Sequence, residues 1–430
     1  MPAREFLSTK ILALKARSRR LAKMDYESVG IRPQDMPYAP SQAHLQAANQ
    51  RLAAIDQQVM RRLRKLDETW RTAPLNRVLI DIGLVERELD RARRAFGLFF
   101  EIFSQRGSAF APPLAAHDVI AVDCYTAVRE AAPRVFRGPL LKPISYMEHG
   151  FSPATMRRGV LLSRLLGEPN PFPIVRIPWD RDKPWQAVFL HEIAHNLQAD
   201  LGIWQENRQA VLRRILRTSG DPGITRIYGR WHKEIFADLA ALLLGGPAAA
   251  WGMAVFLAHP VPRTLSYRPG GAHPTPYLRI HILVEMLRRM GFGPDAERLR
   301  RVWEQLYNPR RSHRLPVRLL STSSQLIPQV VDEIAFQTRR NLAQRALTDI
   351  IRFTPEDEQA IKAGARRLQR GEDCDLSPRH LVSAASYALT SGKVAPRQLA
   401  RQVVEQLNAV NESNQPSVRT RSEERLTMAA

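Results

Sequence analysis

Phe189-Leu190-His191-Glu192-Ile193-Ala194-His195-Asn196-Leu197 is the stretch from which the rest of the chain can be placed. Read as a helix, it stacks His191 and His195 on one face, so that both imidazoles can bind one metal ion. Glu192 lies a quarter-turn round, near enough to hold a water on that metal without being a ligand. Phe189, Leu190, Ile193 and Leu197 fall on the opposite side. The helix therefore has a core face and a separate metal face.

A tetrahedral catalytic zinc needs three protein ligands and one open position. A further histidine six residues after the second, with glycine at the third, is excluded because those positions hold Leu201 and Gln198. Asp200 is turned away by its spacing. The better source is Glu234-Ile235-Phe236-Ala237-Asp238, where Glu234 and Asp238 again share one helical face and Phe236, Leu239 and Leu243 lie opposite. Glu234 can complete the ligand set for one Zn2+ per chain. Asp238, one turn on, can accept the outward N–H of a ligand histidine, fixing its tautomer and raising its basicity. Leu239 to Ala258 carries no charge, so the acid pair reads as buried, and a buried acid pair calls for a cation.

Working outward, residues 158–178 differ from their surroundings. Gly159-Val160-Leu161-Leu162 and Pro173-Ile174-Val175-Arg176-Ile177 are short β-prone runs around a turn-forming Gly167-Glu168-Pro169-Asn170-Pro171, which predicts a hairpin or a small sheet edge. Asp182 with Pro184 predicts a cap for the His191 helix, which should end near Gly202. The second helix should run from about Trp231 to Leu244 and stop at Gly245-Gly246-Pro247. Apolar residues at three- and four-residue spacing predict helices over His44 to Thr69 and Leu75 to Phe103, and again beyond Gly293. Thr354 and Ser377 read as caps, and Arg310 to Arg318, with His313, as a basic linker. The expected domains are a helical region at 1–110, a catalytic domain at 111–308, a helical region at 309–410 and a disordered tail at 411–430. The fold class is α+β, predominantly helical.

The chain has 430 residues, 44% apolar and 25% charged, which suits a globular protein of two or three domains. Its net charge of +22 points toward nucleic acid, an anionic membrane or an acidic partner. The excess comes from 55 arginines and nine lysines spread along the chain, which reads as diffuse bias rather than a nucleic-acid footprint. Cys124 and Cys374 cannot build a disulfide framework, and no secretory signal is visible, so a cytoplasmic setting is expected. The uncharged stretch after Asp238 is interrupted by Gly-Gly-Pro and rich in alanine. It reads as two buried helices, and membrane association is not favoured. His117, His149, His380 and Cys374 stand alone and read as structural.

His191-Glu192-x-x-His195 followed by Glu234-x-x-Ala237-Asp238 resembles the gluzincin metallopeptidases, and most nearly the CAAX-prenyl endopeptidase with its heat-shock-type bacterial relatives. That group also carries a His-Pro and a following Arg after the ligand helix, matched here by His273-Pro274 and Arg279-Ile280. The resemblance spans Arg158 to Met290 at motif level. It implies a zincin-like core, an active-site helix, a ligand helix and an edge strand along which an extended peptide lies. Two departures stand out. The relatives are typically integral membrane proteins, and the 39 positions from His195 to Glu234 include an unmatched filler, Asn207 to Tyr228. Substrate class does not carry over.

The expected activity is zinc-dependent hydrolysis of peptide bonds, with Glu192 taking the proton of the zinc-bound water. His273, Tyr277, Tyr267 and Arg279 are candidates to steady the oxyanion or the substrate, His273 first because of the His-Pro match. Arg279 is also expected to pair with an acid of the ligand helix. Ile174-Val175-Arg176-Ile177 is the candidate strand for peptide addition. The competing reading is a basic helical binding or assembly protein, for nucleic acid or a protein partner, with an inactive or structural metal site.

Overall fold

In the computed structural model, helix follows wherever the apolar spacing recurs every three or four residues. The structure describes residues 3–136, 140–148, 154–162, 168–178, 183, 188–309 and 314–413. Asp182 with Pro184, His149, the cluster of Arg310, Arg311 and His313, and the tail from 414 lie outside these residues. The described chain is mostly helical with a small three-stranded sheet, an α+β fold.

The chain divides into two compact units, 1–114 with 138–182, and 115–137 with 183–430. The units do not meet at the boundaries expected from the sequence. The strand segment belongs with the N-terminal helices, and the C-terminal helices belong with the two helices that carry the histidines and acids.

The first unit holds α1 (Ala3–Arg20), α2 (Gln42–Thr69) and α3 (Leu75–Ser104). Leu45, Leu52, Ile55, Val59, Leu63 and Leu66 of α2 are buried against Val78, Ile82, Val85, Leu89, Phe99 and Phe103 of α3 in one apolar core. Each such side chain contributes roughly 1.5–3 kcal/mol on burial. The strands are β1 (Ile144–Glu148), β2 (Ala154–Met156), β3 (Leu161–Leu162), β4 (Glu168–Pro169) and β5 (Ile174–Pro178). β3 and β4 form the expected antiparallel hairpin on a small scale. β5 is not an edge. It lies between β1, which it pairs in parallel, and β2, which it pairs antiparallel. Its near-continuous apolar run, buried at four of five positions, is the pattern of a strand enclosed on both faces. With both hydrogen-bonding sides committed, β5 cannot accept a peptide strand, and that expectation is corrected. Phe172 inserts among His44, Phe99 and Phe103 and ties the strand segment to the helical core.

The second unit begins with the rest of α4 (Ala111–Ala131) and continues with α5 (Val188–Asp200), α6 (Trp204–Ser219), α7 (Pro222–Leu257) and the short α8 (Val261–Thr264). It ends with α9 (Pro276–Arg289), α10 (Gly293–Leu306), α11 (Val317–Val331), α12 (Leu347–Ile350), α13 (Pro355–Gln369), α14 (Pro378–Thr390) and α15 (Pro396–Ser413). α15 therefore runs into the segment expected to be disordered. The unmatched filler is α6 and the first turns of α7. α7 starts at Pro222 rather than Trp231, because Asp221 caps it through the backbone N–H groups of Gly223 (2.7 Å) and Ile224 (3.3 Å), with Pro222 in the first turn.

α7 breaks at Gly246, whose φ of +64° places it in the left-handed region. Pro247 cannot donate back along the helix, and the Gly245 carbonyl instead accepts from Ser383 Oγ at 2.7 Å. The Phe353 ring lies where a Cβ on Gly246 would stand. The C-terminal helices thus fill the break, and the helix resumes beyond it. α7 is long and apolar enough to cross a membrane, but 78% of its most apolar window is buried inside the fold, so packing accounts for its composition.

Candidate metal centre

α5 and α7 bring the two motifs together. His191 Nε2 and His195 Nε2 each lie 3.4 Å from a carboxylate oxygen of Glu234, His191 from Oε2 and His195 from Oε1. One ligand atom from each residue falls within 4.8 Å of the others, close enough to hold a single metal ion. Tetrahedral bonds of about 2.0–2.1 Å put neighbouring ligand atoms about 3.3 Å apart, so the spacing suits an ion of zinc's size. The donor set, two imidazoles and one carboxylate, is also of the type zinc takes.

A second layer fixes the first. His191 Nδ1 lies 2.9 Å from Asp238 Oδ1 and 3.5 Å from Arg279 Nη2. The shorter contact takes the N–H, so His191 donates to Asp238 through Nδ1 and turns Nε2 toward Glu234. Arg279, on α9, donates to both Asp238 oxygens, through Nε at 2.8 Å and Nη2 at 2.6 Å. The fork and the carboxylate are buried together. Burial opposes charge on Arg279, but the Asp238 carboxylate more than offsets it and raises the guanidinium above its usual value. Burial likewise raises Asp238, and Arg279 and then His191 bring it below the usual carboxylate range.

The same contest acts on the ligands. Burial disfavours a charged His191, yet Asp238 and then Glu234 raise its pKa to about 9 in the metal-free protein. Burial raises Glu234, and its contacts with His191 and His195 outweigh that, so the carboxylate stays ionised. A proton and a metal ion would compete for the same nitrogen, and a divalent ion would supply positive charge beside Glu234.

The structure places the other candidates as follows. Glu192 is buried on α5 between the two histidines in sequence, a quarter-turn from them. His273 comes from the loop before α9, with Nε2 3.4 Å from Glu234 Oε2 and a side chain 69% exposed. Tyr267 meets Trp231 edge-on and lies 3.5 Å from Arg230. Tyr277 is not brought to the trio. It lies two residues before Arg279, about 200° round the helix, and packs edge-on against His281. Burial first, and then Glu304, push its phenol up to about 12. Asp200, set aside as a ligand, accepts from the Tyr125 hydroxyl at 2.7 Å. His117 packs on Phe189, and His380 on Phe353. Arg318 of the basic stretch pairs with Asp221 at 2.7 Å.

Arg230 lies one residue before the helix start that the apolar spacing predicts. The Asp221-Pro222 cap was the signal that extends the helix and puts Arg230 one turn before Glu234, on the same face. Comparison with models of protein families, with curated proteins and with solved structures finds no match for this chain.

Proposed function

We propose that this chain is a zinc-dependent endopeptidase of the gluzincin type, built on a zincin-like core. The observation that carries this reading is the convergence of His191, His195 and Glu234 from two helices, with the ring of His191 oriented by Asp238. Zinc held by these three side chains would lower the pKa of a coordinated water toward neutrality and polarise the scissile carbonyl.

The chain's own groups do the rest. Glu192 takes the proton of the attacking water and delivers it to the leaving amine, a task suited to a buried carboxylate that returns to its ionised form. His273 donates an N–H to the oxyanion, a role supported by its Nε2 lying 3.4 Å from Glu234 Oε2 while its side chain stays exposed. Asp238 and Arg279 hold His191 in the tautomer that presents Nε2, and they touch no reacting atom. A peptide segment is the substrate.

Metal analysis and cleavage of a degenerate peptide library test the reading together. The wild-type protein should hold one zinc per chain and cut the library. Glu192→Gln should keep the zinc and lose about 10²–10⁴-fold in turnover. Full activity in that variant would remove Glu192 as the base, and absence of zinc in the wild type would remove the reading.

A further inference from the structure

The trio does not use every polar group around it. Arg230 stands one turn before Glu234 on the same face of α7, and no acid pairs with it among the described residues. Its guanidinium meets the Tyr267 hydroxyl at 3.5 Å, and its Nε is buried without a partner. A half-buried guanidinium beside a site of this kind is an unspent charge. Once a divalent ion balances Glu234, nothing else in the described site balances Arg230.

A neighbouring group has the same character. His191 reaches both Asp238 and Glu234, whereas His195 reaches Glu234, so α5 and α7 run antiparallel. The turn after His195 therefore lies beside the turn before Glu234. Gln198 is on that turn, seven residues after His191 and so on its face. It is fully buried, and neither amide atom has a partner. Buried polar atoms left unpaired are costly, so an unpartnered amide and a guanidinium on facing turns mark a place that an acceptor fills.

Resting on the metallopeptidase reading, we propose that Arg230, one turn from the metal ligand Glu234, receives a carboxylate of the peptide substrate. Gln198, on the facing turn of α5, meets the rest of that side chain or terminus. Arginine's planar fork matches a carboxylate, and on a peptide the anionic groups are Asp and Glu side chains or the free C-terminus. Arg230 is thereby a specificity residue rather than a catalytic one.

Three short peptide hydroxamates, each anchored through its hydroxamate, separate the sources. One carries a Glu side chain and a C-terminal amide, one a Gln side chain and a free C-terminus, and one a Gln side chain and an amide. Calorimetric binding to the zinc-loaded protein should favour one acid-bearing compound over the neutral one by about tenfold or more. The compound that gains names the source. Arg230→Gln, with zinc content unchanged, should abolish the preference. Arg230→Lys, which keeps the charge without the fork, should retain part of it and decides the matter should the glutamine variant fail to fold. Equal binding of all three compounds to the wild type would overturn the carboxylate site while leaving the metal site standing. No binding by any hydroxamate would overturn the metal reading, and this proposal with it.

Discussion

Asp238 and Glu234 sit one turn apart on α7, both buried, at 1% and 8% exposure, and they are balanced in different ways. Asp238 has a permanent cation, the Arg279 fork at 2.8 and 2.6 Å, and a histidine N–H besides. Glu234 has three imidazoles, His191, His195 and His273, each at 3.4 Å and each positive only when protonated. The first carboxylate is complete within the fold. The second is complete only with protons or with a metal ion. The same residue class, one helical turn on, thus serves two purposes, and the partner sets which.

Substitution should separate the two. Asp238→Ala strands the buried Arg279 charge and should cost about 3–5 kcal/mol of folding stability, read by urea denaturation of the metal-free protein. A loss below about 1 kcal/mol would mean that the pair is not the structural member of the comparison. Glu234→Ala should behave in the opposite manner. The imidazoles it leaves can shed their protons, so metal-free stability should fall less than in Asp238→Ala, while zinc affinity should fall by more than about 100-fold, beyond the range expected for an outer partner. Unchanged zinc affinity in that variant would place the third ligand elsewhere.

How much of this was legible beforehand follows from the range of the forces involved. The His191–His195 pair and the Glu234–Asp238 pair are local, set by helical periodicity, and could be placed on faces from spacing alone. The long helices at the N-terminus were legible for the same reason. β5 was not, because an apolar run such as Ile174 to Ile177 fixes burial but not which strands flank it. β1 comes to its side from about thirty residues earlier in the chain. The break at Gly246 was legible from Gly-Gly-Pro between two uncharged apolar segments, but what closes it was not. Ser383 and Phe353, more than a hundred residues on, allow the helix to continue across it. Tyr277 stands two residues before Arg279, about 200° round the helix, and its ring packs on His281.

A third buried group sharpens the contrast at smaller scale. His380 on α14 packs edge-on against Phe353 and its Nε2 has no partner, so it is a buried imidazole without the acid that His191 has. Burial lowers its pKa to about 4, helped by Arg379, with Asp357 and Asp123 pulling the other way. The unfolded chain takes up this proton near pH 6.5 and the folded chain near pH 4, so between these values the unfolded state binds more protons. Its contribution is therefore intact above about pH 6.5 and declines as pH falls toward 4, by up to about 3 kcal/mol. Urea midpoints measured across that window should show the decline in the wild type and a flatter profile in His380→Leu. A slope of the same size in the variant would assign the acid sensitivity to other groups, and His380 would no longer stand as the unpartnered counterpart of His191.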